Sequence, residues 1–217
     1  MEAPDNPRTG AAPDSPPPLR RRPSRRDEIL RRAAHLFLQR GFEITSLTDV
    51  AEHLGISKAG LYYHFRSKQE LLAAIINFAQ DIHETEVRAA LADGNQDDEE
   101  ELRRLIHAHA VMMTRDDDAA FASLAVDEMR SLLPEDRRQI ARRKRTYLAL
   151  LTERLERVKA AGRLRDVDIT AATHTLSGMV MWLPKWYRQP GKLSPERIAD
   201  EITELAMNAV LPDRRAR

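Results

Sequence analysis

SLTDVAEHLGISKAGLYYHF, residues 46–65, is the stretch whose reading decides the fold. Val50, Ala51 and Leu54 fall on one side of a short helix that opens at Ser46. Gly55 permits a tight turn after it, Ile56 plugs that turn from beneath, and Ser57 caps the next helix. On this second helix Leu61 and Phe65 are four apart and share the buried face. Lys58, Ala59, Gly60, Tyr62, Tyr63 and His64 are left facing outward. The pattern predicts a helix-turn-helix whose second helix suits a DNA major groove. Small residues admit the backbone, tyrosines touch thymine methyls and phosphates, and Lys58 reaches a guanine edge. The plainer alternative is a helical hairpin with idle aromatics, but paired exposed tyrosines on a short helix call for a contact.

Outward from this stretch, helix starts are well marked. Ser24 with Asp27, Ser46 with Asp49 and Ser67 with Glu70 have capping-box spacing, in which a hydroxyl serves an orphan N–H and the acid reaches back. The helix after Ser24 carries Ile29, Ala33, Leu36 and Phe37 on one face and stops at Gly41. The helix after Ser67 carries Leu71, Leu72, Ile75, Ile76, Phe78, Ala79 and Ile82, a broad apolar stripe. Further helices are expected at about 99–114, 119–132, 134–161, 168–187 and 194–211, with Gly162 a stop and Ser194-Pro195 a restart. Pro184 should remove one backbone bond and kink or end its helix. The fold class expected is all-α: a three-helix DNA-binding head and a helical ligand-binding and dimerisation body, about nine helices.

Residues 24–76, RRDEILRRAAHLFLQRGFEITSLTDVAEHLGISKAGLYYHFRSKQELLAAI with its flanks, resemble the N-terminal domain of TetR-family regulators along their full length. The F-x-x-R-G-F close of the first helix, the A-E-H-L-G-I-S turn, L-Y-Y-H-F and S-K-x-E-L carry the likeness. The resemblance implies a homodimer on a palindromic operator. It implies DNA contacts from Thr48, Ser57, Lys58, Ala59, Gly60, Tyr62, Tyr63 and His64, and phosphate contacts from Thr45, Ser46 and Lys68. EMRSLLPEDRRQIARRKRTYLALL and GMVMWLPKWYRQPGKLSPERIADEI resemble a subgroup whose body senses fatty-acyl or steroid-type CoA thioesters.

The expected organisation is a basic, Pro-rich arm at 1–23, the head at 24–70, the body at 71–211 and a tail at 212–217. The arm holds seven of the twelve prolines, too few large apolar residues for a core, and Arg20, Arg21 and Arg22, which with Arg25 and Arg26 can lie along phosphates. Net charge is only +1, yet this basic front contrasts with the acidic run Asp93, Asp97, Asp98, Glu99, Glu100 and Glu101.

Composition narrows the remaining classes. An apolar content of 42% in 217 residues supports a substantial core. Absence of cysteine excludes disulfides and zinc-thiolate sites. No apolar run approaches the roughly 18 residues of a membrane span, and the arm lacks a signal core, so a cytoplasmic protein without membrane partners is expected. No cofactor is implied. An enzyme would need a convergent acid, base or nucleophile set, and the sequence offers none. Met112, Met113, Phe121, Tyr147, His174, Met179, Trp182 and Trp186 are the candidate lining of an apolar effector pocket, or else plain core. His107 and His109 lie two apart on different helix faces, which disfavours a metal pair. Arg137, Arg138, Arg142, Arg143, Lys144 and Arg145 form either a solvated face or a clamp for an anionic head group. Asp127 and Glu128 read as ion-paired. Ile198, Ile202, Leu205, Ala206, Ala209 and Val210 mark the last helix as a dimer face. A ligand-released repressor is the leading function, and a ligand-independent or architectural DNA-binding protein the alternative.

Overall fold

The computed structural model describes residues 24–92, 97–188 and 191–212. The basic arm and the last five residues of the tail lie outside them, as does Asp93 of the acidic run. Among the described residues there are helices and turns and no strand. In chain order the helices are α1 (Arg25–Arg40), α2 (Leu47–Leu54), α3 (Lys58–His64), α4 (Lys68–Leu91), α5 (Asp98–Met113), α6 (Asp116–Asp127), α7 (Pro134–Ala160), α8 (Ile169–Met181), α9 (Leu183–Trp186) and α10 (Pro195–Val210). A single 3-10 turn, Met129–Ser131, leads from α6 to α7.

Local chemistry sets these boundaries. Ser24 and Ser46 form reciprocal capping boxes with Asp27 and Asp49. Ser67 accepts from the Glu70 amide, but the Glu70 carboxylate reaches one residue further back, to the Arg66 amide at 2.7 Å. Gly55 ends α2 in the left-handed region, with φ +67° and ψ +30°, a conformation that a side chain resists. Pro184 ends α8 rather than bending it. The helix stops at Met181, and Pro184 sits in the first turn of the separate, short α9, where its missing N–H has no partner to lose.

Two apolar clusters form the interior. The first joins α1, α2 and α3 to Leu71, Leu72, Ile75 and Ile76 of α4, and continues into Phe121, Leu124, Leu132 and Ile140 of the body. The division expected at residue 70 therefore falls inside α4 and inside one core. The second joins α5, α7, α8 and α10 around Leu102, Leu105, Ile106, Leu155 and Leu176. A charged seam backs it: Arg154 of α7 pairs with Glu101 of α5 at 2.7 Å.

The helix α10 divides the face expected for dimerisation. Ile198, Ala206 and Val210, with Ala199, Thr203 and Met207, are buried in the chain's own core. Leu205 points the other way and is 56% exposed, with Ala209 exposed beside it and Ile202 half-buried. The stripe 202, 205, 209 is thus the part of the helix left for a partner.

Candidate nucleic-acid interface and interior cavity

Leu61 and Phe65, both buried, hold α3 against α1 and α2. Each such side chain contributes about 1.5–3 kcal/mol of burial, enough to fix the angle of a seven-residue helix. Lys58, Ala59, Tyr62, Tyr63 and His64 consequently face solvent, and Tyr63 is 86% exposed. Gly60 has a local reason to be small: a Cβ there would stand 3.0 Å from the Ser57 hydroxyl that caps the helix. Arg32 of α1 donates to the His53 carbonyl at 2.9 Å and fixes the far end of α2.

The predicted phosphate contacts are placed differently. Thr45 is buried, and its hydroxyl donates to the Gly41 carbonyl at 2.7 Å, so it braces the α1–α2 turn from inside. Ser46 spends its hydroxyl on the Asp49 cap, accepting from the amide and donating to the carboxylate. Lys68 donates to the Phe42 and Glu43 carbonyls, both at 2.7 Å, with its ammonium 4.5 Å from the Phe42 ring centroid. That ammonium has one N–H left for another acceptor. Thr48 is half-buried on α2 and Ser57 exposed at the head of α3. The exposed Ile44, beside the same turn, was not singled out by sequence.

Behind the head lies a cavity of about 330 Å³ lined by α4, α5, α6, α7 and α8 and open on one side. Met112, Met113, Phe121 and Tyr147 line it as expected. The other four expected residues do not. His174 is exposed on α8, Met179 packs at the edge of the second cluster, and Trp182 and Trp186 are 62% and 50% exposed. For the two tryptophans the early end of α8 at Met181 is the reason. Met181 takes the place in the wall, Leu183 and Pro184 turn inward, and both tryptophans are thrown outward.

Sequence reading missed the polar side of the chamber. His83, Gln80, Asp118 and Ser177 line it. The available signal was spacing: Ile76, Ala79, Gln80 and His83 continue one face of α4, so a polar pair stands on an apolar stripe. The His83, His109 and Tyr147 rings meet around one point in tilted and edge-to-face pairs, with centroids 4.5, 4.6 and 5.0 Å apart. His109 Nδ1 and the Tyr147 hydroxyl are hydrogen-bonded across 2.8 Å. Burial pushes the His83 imidazole down to about 4 and that of His109 well below its ordinary value, and pushes the Tyr147 phenol up. All three groups are therefore neutral at neutral pH. Asp118 is raised by burial and leans on Arg115 at 3.6 Å.

At the rim, Arg143 is not free to clamp a head group. Glu84 and Asp81 hold its guanidinium at 2.7 Å each, and the Asn77 side chain and carbonyl add contacts at 3.3 Å. Lys144 stands exposed beside it. Asp127 pairs with Lys185, while Glu128 accepts from the Ser131 hydroxyl instead of a cation. Head and body are joined by a clasp: Asp117 of α6 accepts from Arg31 at 2.7 Å and bonds His35 at 2.8 Å, both on α1. The Arg31 guanidinium also lies 5.9 Å from the Phe121 ring, which faces the cavity. A second, larger concavity between α4, α5 and α10 is an open polar groove floored by the pairs Arg103–Glu204 and His107–Asp200. Among the described residues no group of three or more His, Asp or Glu is placed to hold a metal, and no helix is long and apolar enough to cross a membrane.

Comparison with known proteins agrees with this geometry. Residues 29–75 match the family of bacterial regulatory proteins described as tetR, and residues 95–210 match the tetracyclin repressor-like C-terminal domain. The HTH-type transcriptional repressor KstR2 of Rhodococcus jostii (strain RHA1) is 26% identical over 197 residues, covering 86% of this chain and 91% of that protein. Among solved structures, AibR in complex with isovaleryl coenzyme A and operator DNA is 33% identical with a TM-score of 0.75, covering 84% of this chain and 97% of that one. The regulator PfmR from Thermus thermophilus is also 33% identical, with a TM-score of 0.76 and coverage of 84% and 98%.

Proposed function

The chain belongs to the TetR family of bacterial regulatory proteins, and from that premise we propose that it is a dimeric repressor of transcription, released from a palindromic operator by a hydrophobic acyl-type effector. One observation carries the reading: a helix with an exposed, tyrosine-rich outer face is mounted on the same core that forms the wall of a chamber. The α3 face of Lys58, Tyr62, Tyr63 and His64 enters the major groove and reads bases, while Ser57, Ala59 and Gly60 lie close to the backbone. Thr48 and the remaining N–H of Lys68 meet phosphates. Thr45 and Ser46 serve by shaping the turn that presents them.

Release follows from the shared walls. An effector in the chamber touches Ile76, Ala79 and His83 of α4, and Asp118 and Phe121 of α6. The helix α4 enters the head directly, and α6 is tied to α1 through Asp117. Displacing either helix pivots the head. Two recognition helices must stand about 34–36 Å apart to fit successive major grooves, so a small pivot costs one half-site. The effector favours the released state only through a higher affinity for it. An acyl chain suits the methionine-rich wall, which adapts to ligand shape. The AibR complex with isovaleryl coenzyme A supports a thioester, with Lys144 at the rim the cation nearest to hand for an anionic head group.

The test begins with selection of duplexes from a random pool by the full-length protein, followed by titration of the complex with acyl-CoAs, free fatty acids and planar cations. The expected result is a palindrome whose complex dissociates with acyl-CoAs. Retention of DNA with every compound would favour the architectural alternative, and release by the cations alone would overturn the acyl reading.

A further inference from the structure

The chamber is not uniformly apolar. Ile76, Ala79, Met112, Met113, Phe121 and Met181 supply most of its apolar lining. On the same face of α4 as Ile76 and Ala79, His83 Nε2 and Gln80 Oε1 are buried and have no hydrogen-bond partner among the described residues. Beside them His109 and Tyr147 are bonded to each other, which leaves the second imidazole nitrogen and part of the hydroxyl capacity. The His83 Nε2 and Gln80 Oε1 atoms and His109 are buried, whereas Val126 and Lys144, which also line the chamber, are exposed, so this cluster forms the inner end. Buried polar groups lacking a partner are destabilising, and a native protein keeps them for a reason.

We propose that the His83–Gln80–His109–Tyr147 cluster is a recognition site for one uncharged hydrogen-bonding group, a hydroxyl or ketone oxygen, carried at the inner end of an otherwise apolar effector. The inference rests on the reading of this chamber as the effector site. It adds what the inner end of that effector must carry.

Charge decides the class. The titratable groups of the cluster are neutral, and of the charged groups elsewhere in the lining all but Lys144 have an opposite charge beside them. On α4 and α5, His83 and His109 are held neutral by burial. On α7, Tyr147 is held protonated, and Arg143 and Glu84 of α4 neutralise each other across 2.7 Å. On α6, Asp118 has Arg115 at 3.6 Å, which Glu86 also holds at 3.0 Å. Lys144, one turn before Tyr147 on α7, is exposed at the rim. A carboxylate at the inner end would be desolvated without a counter-charge, and so would an ammonium. A hydroxyl can donate to His83 Nε2 or Gln80 Oε1 and accept from a neighbouring donor. A ketone oxygen accepts from an imidazole N–H, whose tautomer can follow the ligand.

Calorimetric titration of the full-length protein, without DNA, tests the site separately from operator release. The alkyl probes are octanol, octanoate and octylamine, and the thioester probes are octanoyl-CoA and ω-hydroxyoctanoyl-CoA. Octanol should bind at least roughly tenfold tighter than either charged analogue. The ω-hydroxy thioester should bind roughly three- to tenfold tighter than its parent, the range of one net hydrogen bond. In His83→Leu that difference should vanish. Imidazole nitrogen resonances of the unaltered protein provide a check that needs no variant, since those of His83 should shift with octanol while staying in the neutral pattern. Equal affinities within both sets would mean that water serves these atoms, and would overturn the proposal. Tightest binding of octanoate with proton uptake, or of octylamine, would overturn it in favour of a charged ligand. Failure of both thioesters, with the octanol preference retained, would reject the coenzyme A reading and support the site.

Discussion

Tyr63 is the residue whose role can be tested with least disturbance, because its side chain is largely in solvent, with the neighbouring His64 ring at 5.2 Å between centroids. Tyr63→Ala should leave folding intact and weaken binding to the selected operator by about 1–3 kcal/mol, with little change on random duplexes. Fluorescence anisotropy on the two duplexes measures both, and equal losses would deny the side chain a part in base reading. His83 and His109 make a different prediction. Unfolded, each imidazole takes a proton near its ordinary value of 6.5; folded, burial makes His83 resist until about 4 and holds His109 well below its ordinary value. The unfolded chain binds more protons in that window, so stability rises with pH across it and is lost as pH falls from about 6.5 towards 4. The His83 share is roughly 3 kcal/mol when fully expressed. Asp118, raised by burial, works in the opposite sense at the acid end and offsets part of the loss. Urea midpoints should therefore fall between about pH 7 and pH 4.5, and less steeply in His83→Gln. An identical slope in that variant would place the proton uptake elsewhere.

At the scale of elements, the contact between α1 and α6 connects the reading head to the chamber. Asp117 grips two α1 side chains, while its neighbours Asp118 and Phe121 face the cavity. Asp117→Ala removes the grip without altering the lining. Effector affinity of the free protein should change little, and the coupling between effector and operator should fall by about 0.5–1 kcal/mol, the modest size reflecting the solvent exposure of the pair. Titrating DNA affinity with and without effector measures this, and unchanged coupling would leave α4 as the route. The helix α4 is the natural second route, since it runs unbroken from the head core at Leu71 to His83 in the chamber wall. The end of α8 is set by Pro184, and its consequence is larger than one lost bond. It moves two tryptophans from the expected pocket to the surface.

For the molecule as a whole, operator recognition depends on a two-fold pair of heads, and the chain has an unpaired stripe from which to build one. Leu205 on α10 is 56% exposed, and Trp182 at the end of α8 is 62% exposed. An isologous contact through these helices would cover both. Because Leu205 is turned away from its own core, Leu205→Arg should fold normally and sediment as a monomer. It should also lose most of its affinity for the palindrome while keeping weak binding to a half-site. Dimers of that variant at micromolar concentration would move the interface to another surface.

The reading head was legible in sequence because it is made by short-range rules. Capping boxes act over three residues, the left-handed turn needs only Gly55, and Leu61 with Phe65 declares a buried face by spacing alone. Even there, Thr45 and Lys68 needed the structure, because each is bonded to the turn between α1 and α2. The chamber was only half legible. Periodicity says that a face is covered, not whether core, cavity or a second chain covers it. Thus Met112, Met113, Phe121 and Tyr147 line the chamber, while His174, Met179, Trp182 and Trp186 lie elsewhere. On α10, one predicted face proved to be two, with Ile198, Ala206 and Val210 packed inside and Leu205 left outside. His83, Gln80 and Asp118 gain their meaning only when five helices converge, because burial, the neutral state of the imidazole and the want of a partner are properties of surroundings that no local stretch of chain contains.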